Sequence, residues 1–446
     1  MEVHITIPAH ARLVMQRLEN AGYEAYVVGG CVRNALLAIP PNDWDMTTVA
    51  RPEEMQVCFS DLHVIETGLK HGTLTVMVDG EPIEVTTYRN DGEYADNRHP
   101  VSVTFSTEVK EDLARRDFTV NAMAYHPVRG LVDLFGGRED LEARVIRCVG
   151  DPATRFREDG LRILRALRFA AVLDFSIDPE TSQAVHACAH LLDNIAAERI
   201  REEFCKLICG GGAVRILREY IDVIGHFLPE LLACVGFEQN TKYHCFDVFE
   251  HTLAALSFCR GGLLEHLAVL FHDIGKPLCY TEDENGGHFK GHAVESVRMV
   301  REITQRLRFD NKTGERLALL VDYHDREIPP TLPSVKRLMR KMSDEDISIL
   351  MEVKRADRLA HAPLYSTPSP TLEQIPRLVA EIRATDACLS LASLAVKGDD
   401  LMAIGVPKGR RIGLLLGALL DDVIEERLPN EREALLKEAA KRKDSM

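Results

Sequence analysis

Apolar residues alternate with polar ones in short runs near the start of the chain, and they recur every three or four positions over most of the rest. Residues 9–21 show the helical period, which predicts an amphipathic helix. Two short apolar runs within 73–89 are joined by Asp79-Gly80, a dipeptide that favours a tight turn between antiparallel strands. From residue 141 onward the pattern is almost entirely helical. The chain is therefore predicted to be α+β, with a small mixed sheet and helices first and an all-α remainder.

Two glycines and two aspartates follow the first apolar strand, which is predicted at 26–28. Gly30 comes after this strand, and Asp43 and Asp45 lie two residues apart, so on a strand their carboxylates would project from one face. Paired carboxylate oxygens suit Mg²⁺. Glycine lets a triphosphate approach the backbone N–H groups, and Arg33 can add charge-assisted hydrogen bonds to phosphate. Taken singly, these residues would also fit an ordinary turn with two surface aspartates.

A third carboxylate lies on the return strand of the predicted hairpin. Glu84 alternates with Val85, so its side chain can lie on the face that carries the aspartate pair. It is the candidate for a third acidic residue of a catalytic site, and an exposed strand position is the plain alternative.

This ordered set resembles the nucleotidyltransferase superfamily of DNA polymerase β, and more closely the branch that holds bacterial tRNA CCA-adding enzymes and poly(A) polymerases. That branch has the pattern G-G-x-V-R-D followed by D-x-D. One departure is Asn34, where the family usually has Asp. The family residue is not a metal ligand, so the change bears on local hydrogen bonding more than on catalysis. The resemblance implies a polymerase-β-like head in which Asp43 and Asp45 hold two Mg²⁺ ions.

A second block, residues 111–124, is similar to the family's R-R-D-F-T-x-N-A segment, which binds ribose and phosphate. Chemically, Arg116 can pair with phosphate, whereas Asp117 and Asn121 suit sugar hydroxyls. A helix with an exposed, salt-bridged face is the plain alternative.

Residues 151–169 are predicted to form one continuous helix. Asp159 and Arg162 would then be neighbours on one face, in a sequence that resembles the family's E-D-x-x-R base-recognition motif. Cytosine and adenine each present an exocyclic amine beside a ring-nitrogen acceptor, so one carboxylate and one guanidinium match both bases and reject guanine and uracil. A simple intrahelical ion pair is the alternative. The residues expected to bind the nucleotide are Gly30, Arg33, Arg116, Asp117, Asn121, Asp159, Arg162, Arg165 and Arg168.

The segment 91–100 is polar and bounded by glycine and proline, which predicts a mobile loop. In the family, a flexible loop at this place is associated with adding the terminal A as well as the two Cs. The resemblance therefore favours a complete CCA-adding enzyme over one that adds only the two Cs.

Histidines and aspartates form a second constellation in the helical part of the chain. It resembles the HD phosphohydrolase superfamily, whose H…HD…D residues come from separate helices and bind a divalent metal. Imidazole together with carboxylate suits transition metals. An HD module kept as a scaffold without metal is the alternative. On this resemblance the metal ligands are His251, His272, Asp273 and Asp357, and the extra ligands of a two-metal version are His292 and His324.

Length, charge and cysteine content narrow these interpretations. The 446 residues are too many for one core, so several domains are expected. The net charge of −15 argues against bulk attraction to nucleic acid, so an RNA site must be a local basic patch. The 11 cysteines are scattered without a C-x-x-C pair, which is typical of reduced thiols in a cytosolic protein. Residues 1–24 lack a signal-peptide core and no apolar run is long enough to span a membrane, so we expect a cytoplasmic location.

We expect four domains: a catalytic head at 1–140, a helical neck that recognises the base at 141–210, a helical body with the HD module at 211–365, and a helical tail that binds tRNA at 366–446. The resemblance covers nearly the whole chain. It implies an enzyme that adds CCA to the 3′ end of tRNA from CTP and ATP without a nucleic-acid template and releases pyrophosphate. Two Mg²⁺ ions are expected at the transferase site and a further divalent metal in the HD module. No membrane or protein partner is implied.

Three alternatives stay open. A poly(A) polymerase shares the head and the E-D-x-x-R motif, but the segment after Asp45 lacks that family's basic G-R-R-F-type signature. An HD-type phosphohydrolase acting on nucleotides, with a decayed transferase head, is disfavoured because both aspartates are present. A non-catalytic RNA-binding protein would not need two metal-type constellations.

Overall fold

The chain divides into two compact units, Met1–Leu232 and Ala233–Met446, and each has its own set of elements. The computed structural model describes residues 4–92, 102–284, 286–367, 369–385 and 388–443.

The first unit combines a sheet with helices. Its strands are β1 (Ala25–Val28), β2 (Met46–Thr48), β3 (His63–Ile65), β4 (Thr73–Val78), β5 (Glu81–Thr87), β6 (Arg89–Asp91), β7 (Val103–Phe105), β8 (Met123–His126), β9 (Gly130–Asp133), β10 (Val145–Ile146) and β11 (Ser176–Ile177). Its helices are α1 (Ala9–Asn20), α2 (Gly30–Leu36), α3 (Pro52–Cys58), α4 (Val109–Ala114), α5 (Gly137–Ala143), α6 (Pro152–Glu158), α7 (Leu161–Leu173), α8 (Pro179–Ala187), α9 (Ala197–Ile208), α10 (Ala213–Glu219), α11 (Ile221–Ile224) and α12 (Pro229–Leu232). Three 3₁₀ turns lie at Leu69–His71, Thr119–Asn121 and Ala189–Asn194.

A seven-stranded sheet in the order β3-β4-β5-β2-β1-β8-β9 is the frame of the first unit. β1 is antiparallel to β2 and β8, whereas β2 is parallel to β5 with Met46 opposite Val85. β4 and β5 form the hairpin predicted at Asp79-Gly80, where positive φ angles of 53° and 87° produce the tight turn. The hairpin and the predicted N-terminal helix, now α1, are both confirmed.

The prediction of one helix over 151–169 is wrong, because the chain leaves the helix between α6 and α7. Asp159 has φ −140° and ψ 105°, which is extended backbone. Its carboxylate accepts a hydrogen bond from the N–H of Leu161 at 3.0 Å and so caps the next helix. A Cβ at Gly160 would lie 3.1 Å from the carbonyl oxygen of Leu191, so the break also lets the backbone pack closely against a neighbouring segment.

The described part of the second unit is helical, apart from one small hairpin. Its helices are α13 (Val248–Phe258), α14 (Leu263–Phe271), α15 (Lys276–Cys279), α16 (His292–Arg306), α17 (Asn311–Tyr323), α18 (Leu332–Met339), α19 (Asp344–Ala360), α20 (Pro370–Ala384), α21 (Gly398–Ala403), α22 (Arg410–Ile424) and α23 (Arg432–Arg442). The hairpin is formed by β12 (Thr281–Asp283) and β13 (Gly286–His288).

The last three helices pack around an apolar cluster of their own. Leu401 of α21, Leu419 of α22 and Leu435 of α23 are fully buried in it. Among the described residues, none of the helices combines the length and the apolar character that crossing a membrane would need. The expected class, a mixed α+β start followed by a helical remainder, is confirmed, and β10–β11 and β12–β13 are small exceptions to its all-α part.

Candidate active site and HD ligand groups

Three carboxylates come together where β2 and β5 lie side by side. Asp43 and Asp45 occupy the segment that leads into β2. The parallel register sets Met46 opposite Val85, so the preceding residues, Asp45 and Glu84, are also neighbours. The structure therefore brings together the carboxylates expected from the sequence.

Electrostatics at this point favour a bound cation. Burial, followed by the nearby charges of Glu84 and Asp43, raises the pKa of Asp45 to about 6, and Arg116 opposes that rise. Both neighbouring carboxylates are exposed, so their oxygens are accessible to an ion. Hard oxygen donors that repel one another fit Mg²⁺, which would relieve the repulsion.

Gly29 brings the backbone close to an arginine. Its φ of +79° is in the left-handed region, and a Cβ there would lie 2.9 Å from Nη1 of Arg116. Nη2 of Arg116 donates to Asp112 at 3.1 Å, and Asp112 is fully buried. Burial alone would raise the pKa of Asp112, but Arg116 and Arg115 hold it below its ordinary value. Arg116 is thus fixed between the glycine turn and the carboxylates.

A chain of buried polar contacts connects α2 with α7. Arg33 donates to Oδ1 of Asn121, and Nδ2 of Asn121 donates to Oδ1 of Asp117 at 3.1 Å. The other oxygen of Asp117 accepts from Nε of Arg165 at 2.9 Å. Burial would raise the pKa of Asp117, but Arg165 and Asn121 hold it well below its usual range. Four residues predicted to bind nucleotide therefore form one network.

Asn34, which stands where the family usually has Asp, still provides a hydrogen-bond partner for this network. Its Oδ1 accepts from Nε of Arg33 at 3.0 Å and from Nη2 at 2.8 Å. A neutral amide thus orients Arg33 without adding a negative charge beside it.

The ring of Phe169 gathers three guanidinium groups. Those of Arg33, Arg165 and Arg168 lie 4.9, 5.4 and 3.9 Å from its centroid. Burial and the charge of Arg168 lower the pKa of Arg33 to about 10. The carboxylate of Glu203 on α9 offsets part of this positive charge, with Oε2 at 2.6 Å from Nε of Arg168. Three of the residues expected to bind the nucleotide therefore form a packed cationic cluster.

Asp159 and Arg162 each have a partner other than one another. Asp159 accepts two hydrogen bonds from Arg199, at 2.9 and 3.3 Å. Arg162 pairs with Glu158 and donates from Nη2 to the carbonyl oxygen of Arg115 at 3.0 Å. The intrahelical ion pair considered from the sequence does not form between these two described residues. Both side chains are instead held in place by neighbours, with 18% and 11% of their surfaces exposed.

The sequence did not single out several residues of this site. Arg199 and Glu203 lie four apart on α9 and therefore share one helix face, which was the available signal. Asp112 lies one helical turn before Arg116. The predicted mobile loop at 91–100 lies outside the described residues from position 93 onward.

Among the described residues of the second unit, Asp273 joins two groups of metal-type ligands. His251, His272 and Asp357 form the first group, in which His251 Nε2 lies 3.0 Å from Asp357 Oδ1. Asp273, His292 and His324 form the second. Oδ2 of Asp273 lies 3.0 Å from Nε2 of His272, and Oδ1 lies 3.3 Å from Nε2 of His292. All four residues of the predicted HD set and both extra histidines are therefore brought together.

Backbone carbonyls orient three of these imidazoles. Nδ1 of His272, His292 and His324 lies 2.7, 2.9 and 2.6 Å from the carbonyl oxygen three residues earlier. The Nε2 atoms therefore face the carboxylates, as metal ligation requires. Nε2 of His272 is buried and, within the described residues, lacks hydrogen-bond geometry to any partner. This arrangement of nitrogen and oxygen donors fits a divalent transition metal.

Charged and ring neighbours surround the two groups. Burial acts to lower the pKa of His272, but Asp273 and Asp357 raise it to about 10. Nζ of Lys276 lies 2.6 Å from Oδ2 of Asp273, and both side chains are buried. Two histidines that the sequence did not single out form a third group with His251; they are His244 and His361.

A cavity of about 370 Å³ opens onto both ligand groups, since Asp357 and His324 are part of its wall. Lys354, which lies three positions before Asp357 on α19 and so shares its helix face, also lines the cavity, as does Arg358. Thr371, in the first turn of α20, is also part of the wall. A small phosphoester could therefore reach the predicted metal ligands.

Family models cover most of the chain. The model described as "Poly A polymerase head domain" matches residues 25–147, and the one described as "HD domain" matches residues 248–362. Two further models match: "Probable RNA and SrmB- binding site of polymerase A" at residues 174–234, and "tRNA nucleotidyltransferase domain 2 putative" at residues 357–439.

Curated relatives and solved structures give a consistent result. The chain is 46% identical over 280 residues to the CCA-adding enzyme of Limosilactobacillus reuteri (strain DSM 20016), covering 63% of this chain and 66% of the relative. It is 41% identical over 263 residues to that of Bacillus cereus (strain Q1), covering 58% and 65%. The chain thus spans just under two thirds of the length of these relatives.

The fold as a whole is similar to solved CCA-adding enzymes. The Bacillus stearothermophilus enzyme in complex with CTP superposes with a TM-score of 0.75 and 30% identity, covering 98% of this chain and 97% of that one. The Thermotoga maritima enzyme complexed with tRNA superposes with a TM-score of 0.58 at 21% identity, covering 96% and 93%, and supports the fold alone.

Proposed function

Because this chain belongs to the family of CCA-adding enzymes, we propose that it adds C and A nucleotides from CTP and ATP to the 3′ end of tRNA without a nucleic-acid template. The 3′ hydroxyl attacks the α-phosphate, the bond to the β-phosphate breaks, and pyrophosphate leaves. The observation that carries this proposal is the carboxylate cluster of Asp43, Asp45 and Glu84 next to Arg116.

Asp43 and Asp45 are the residues that would hold two Mg²⁺ ions, with Glu84 beside them. When bound, these ions supply charge stabilisation to the reacting hydroxyl and to the leaving pyrophosphate. Arg116 lies opposite the carboxylates and is suited to a phosphate oxygen. The absence of a Cβ at Gly29 lets Nη1 of Arg116 lie against the backbone there, and at Gly30 a Cβ would lie 3.8 Å from Nη2 of Arg33.

The network of Asn121 and Asp117 would hold the sugar and orient Arg33 and Arg165. Asp117 already accepts hydrogen bonds from Phe118, Asn121 and Arg165. Its role toward ribose is therefore shared with a role in holding Arg165. Arg33 is oriented on both sides, by Asn34 and Asn121, and presents its charge near the glycine turn.

Base choice is assigned to Asp159 and Arg162. Asp159 uses one lone pair of Oδ2 for Arg199, so a second is free to accept from the amine of cytosine or adenine. Nη1 of Arg162 is occupied by Glu158 and a backbone carbonyl, but Nε and one Nη2 hydrogen have capacity for a ring nitrogen. A hydrogen-bonding site of this kind discriminates strongly against bases with the reverse pattern.

The experiment is incubation with a tRNA that lacks its CCA end and each labelled nucleotide in turn, followed by sequencing of the product. Template-free addition of C, C and A supports the proposal. Repeated addition of A alone would instead identify a poly(A) polymerase, and no addition would overturn both.

The neck at 141–210 is proposed to recognise the base, and the tail at 366–446 is proposed to bind tRNA.

A second activity is proposed for the second unit, hydrolysis of nucleotide phosphoesters by the HD module. Its support is the pair of ligand groups joined by Asp273 and the cavity that opens onto them. Transition metals fit the mixed imidazole and carboxylate donors and would supply Lewis-acid activation. The test is release of phosphate from mononucleotides by the whole protein with Mn²⁺, compared with the His272→Ala/Asp273→Ala variant.

A further inference from the structure

Two loops of the second unit meet beside the HD ligand groups through two pairs of rings. His244 packs edge-to-face on His361 with centroids 4.8 Å apart, and Tyr243 packs on Tyr365 at the same distance. Between these pairs, the N–H of Ala362 donates to the carbonyl oxygen of Tyr243 at 2.8 Å. The loop before α13 and the loop after α19 therefore run side by side.

The inner ring pair contacts the predicted metal ligands. The ring of His244 lies 4.7 Å from that of His251, and Nε2 of His361 lies 3.8 Å from Oδ1 of Asp357. His361 also lines the cavity that opens onto the two ligand groups. The inner pair therefore belongs to the wall of the HD site.

The outer pair faces solvent. Tyr243 is 46% exposed and Tyr365 is half-buried. Phe246 and Leu364, which are 44% and 88% exposed, add apolar surface on the same two loops. Aromatic surface is thus left open next to a polar, ligand-bearing site, where burial against the protein would have been the ordinary outcome.

A cation accompanies the open rings. Nζ of the exposed Lys242 lies 5.1 Å from the centroid of Tyr243. Proteins that bind single-stranded nucleic acid without sequence preference combine aromatic side chains with nearby cations, because every base has a face that can stack. Tyr243 directly precedes His244 in the chain and Tyr365 follows His361 by four residues, so the outer pair adjoins the inner pair on both loops.

We propose that Tyr243 and Tyr365 form a stacking platform for the base of a nucleoside phosphoester whose phosphate lies at the HD ligand groups. This inference rests on the hydrolase function proposed above and names the residues that bind the base of its substrate. The ligand is a nucleoside phosphoester, either a free mononucleotide or the last nucleotide of an RNA, and esters that lack a base bind without the platform.

Photo-crosslinking locates the base directly, without relying on turnover. The full-length protein with Mn²⁺ is irradiated with 8-azido-AMP, and labelled peptides of the second unit are identified by mass spectrometry. Labels on the peptides that contain Tyr243 or Tyr365, lost on competition with AMP, are expected. Labels elsewhere in the second unit, or none in it, would overturn the proposal.

Kinetics then separate the base from the phosphate. Tyr243→Ala should raise KM for AMP by about 5- to 150-fold, the range of one base–aromatic stack, and leave KM for glycerol 2-phosphate within about twofold. Tyr243→Phe should restore the wild-type KM, since the ring carries the effect. Leu414→Ala removes a comparably exposed apolar side chain from α22 and should change neither constant.

The outcomes distinguish this inference from the hydrolase function. Crosslinks at the tyrosines without hydrolysis of any ester would support the platform and refute the hydrolase. Hydrolysis of AMP and glycerol 2-phosphate with equal KM values, unchanged in Tyr243→Ala, would refute the platform and leave the hydrolase. A short RNA with a terminal phosphate, used in place of AMP, shows by the lower KM which of the two sources the platform serves.

Discussion

Arg199 holds Asp159 through two hydrogen bonds, from Nη2 to Oδ2 at 2.9 Å and from Nη1 to Oδ1 at 3.3 Å. The two residues lie 40 positions apart, on α9 and at the end of α6. Two parallel bonds fix the plane of a carboxylate as well as its position. The orientation of the proposed base reader is therefore set from another helix.

Arg199→Ala should reduce the accuracy of nucleotide choice. Without the two hydrogen bonds from Arg199, the carboxylate of Asp159 can rotate. We therefore expect kcat/KM for CTP to fall by about tenfold, which corresponds to a loss of roughly 1.4 kcal/mol. The share of UTP and GTP among the incorporated nucleotides should rise. Arg199→Lys should recover only part of this, because an ammonium cannot make the two parallel bonds. Lys206→Ala, an exposed change on the same helix, is the control. An unchanged nucleotide preference in a folded Arg199→Ala variant would contradict the prediction.

Exchanging the charges of Asp159 and Arg162 also requires exchanging the charges of the residues that pair with them. Asp159→Arg with Arg162→Asp would place like charges against Arg199 and Glu158, so this double variant should add any nucleotide poorly. Adding Arg199→Glu and Glu158→Arg restores opposite charges, and relative use of GTP and UTP should then rise. Incorporation of the four nucleotides onto one tRNA measures the preference. If this active quadruple variant still favours C and A, base selection lies elsewhere.

Asp43→Ala or Asp45→Ala should abolish nucleotide addition by many orders of magnitude while leaving the fold intact, because the charge stabilisation of bound metal is lost. Addition of labelled CTP to tRNA measures the loss, and circular dichroism checks the fold. Glu53→Ala, an exposed carboxylate of α3, should be fully active. Retained activity in either aspartate variant would remove the metal assignment.

The same carboxylate cluster should lower the free energy of unfolding when no metal ion is bound. In the presence of a chelator at pH 7, Asp45→Asn should raise the free energy of unfolding by about 1–3 kcal/mol, since the folded pKa of about 6 lies above the ordinary value. The ionised carboxylate is disfavoured in the folded state, so the wild type should gain stability as pH falls from 7 toward 4 and the variant should not gain this contribution. Urea unfolding at the two pH values measures both. Equal pH dependence of the two proteins would refute the assignment.

The HD ligands should be separable from tRNA extension, because the two ligand sets lie in different units of the chain. His272→Ala with Asp273→Ala should remove phosphoester hydrolysis and leave CCA addition largely intact. Nζ of Lys276 lies 2.6 Å from Asp273, so Lys276→Met is added to avoid an unpaired buried charge. A folded triple variant that no longer extends tRNA would show that the two sites depend on one another.

Local chemistry explains what the sequence predicted well. Asp79-Gly80 specifies its turn by itself, and the spacing of Asp43, Asp45 and Glu84 follows from strand geometry. The break at Asp159 was missed because it depends on packing of Gly160 against Leu191, a contact that no local pattern encodes.

Residues that act through distant partners were also missed. Arg199 and Glu203 are ordinary charged residues of an amphipathic helix until the fold places them against Asp159 and Arg168. His244 lacks the HD signature, and only the meeting of two loops sets it beside His361. Motifs identified the chemistry, whereas tertiary contacts determine what orients it.

The cluster of three arginines on Phe169 has a consequence for how this protein could be divided or recombined. Arg33 belongs to the sheet region, but its aromatic support and its cationic neighbours belong to α7. A fragment that stops at residue 140 would leave Arg33 and Asp117 without Phe169 and Arg165, and it would expose the apolar ring of Phe118, which is fully buried against Phe169. Grafting the sheet region alone onto another chain should therefore yield an insoluble product, whereas a transplant ending near residue 232 carries its own support with it.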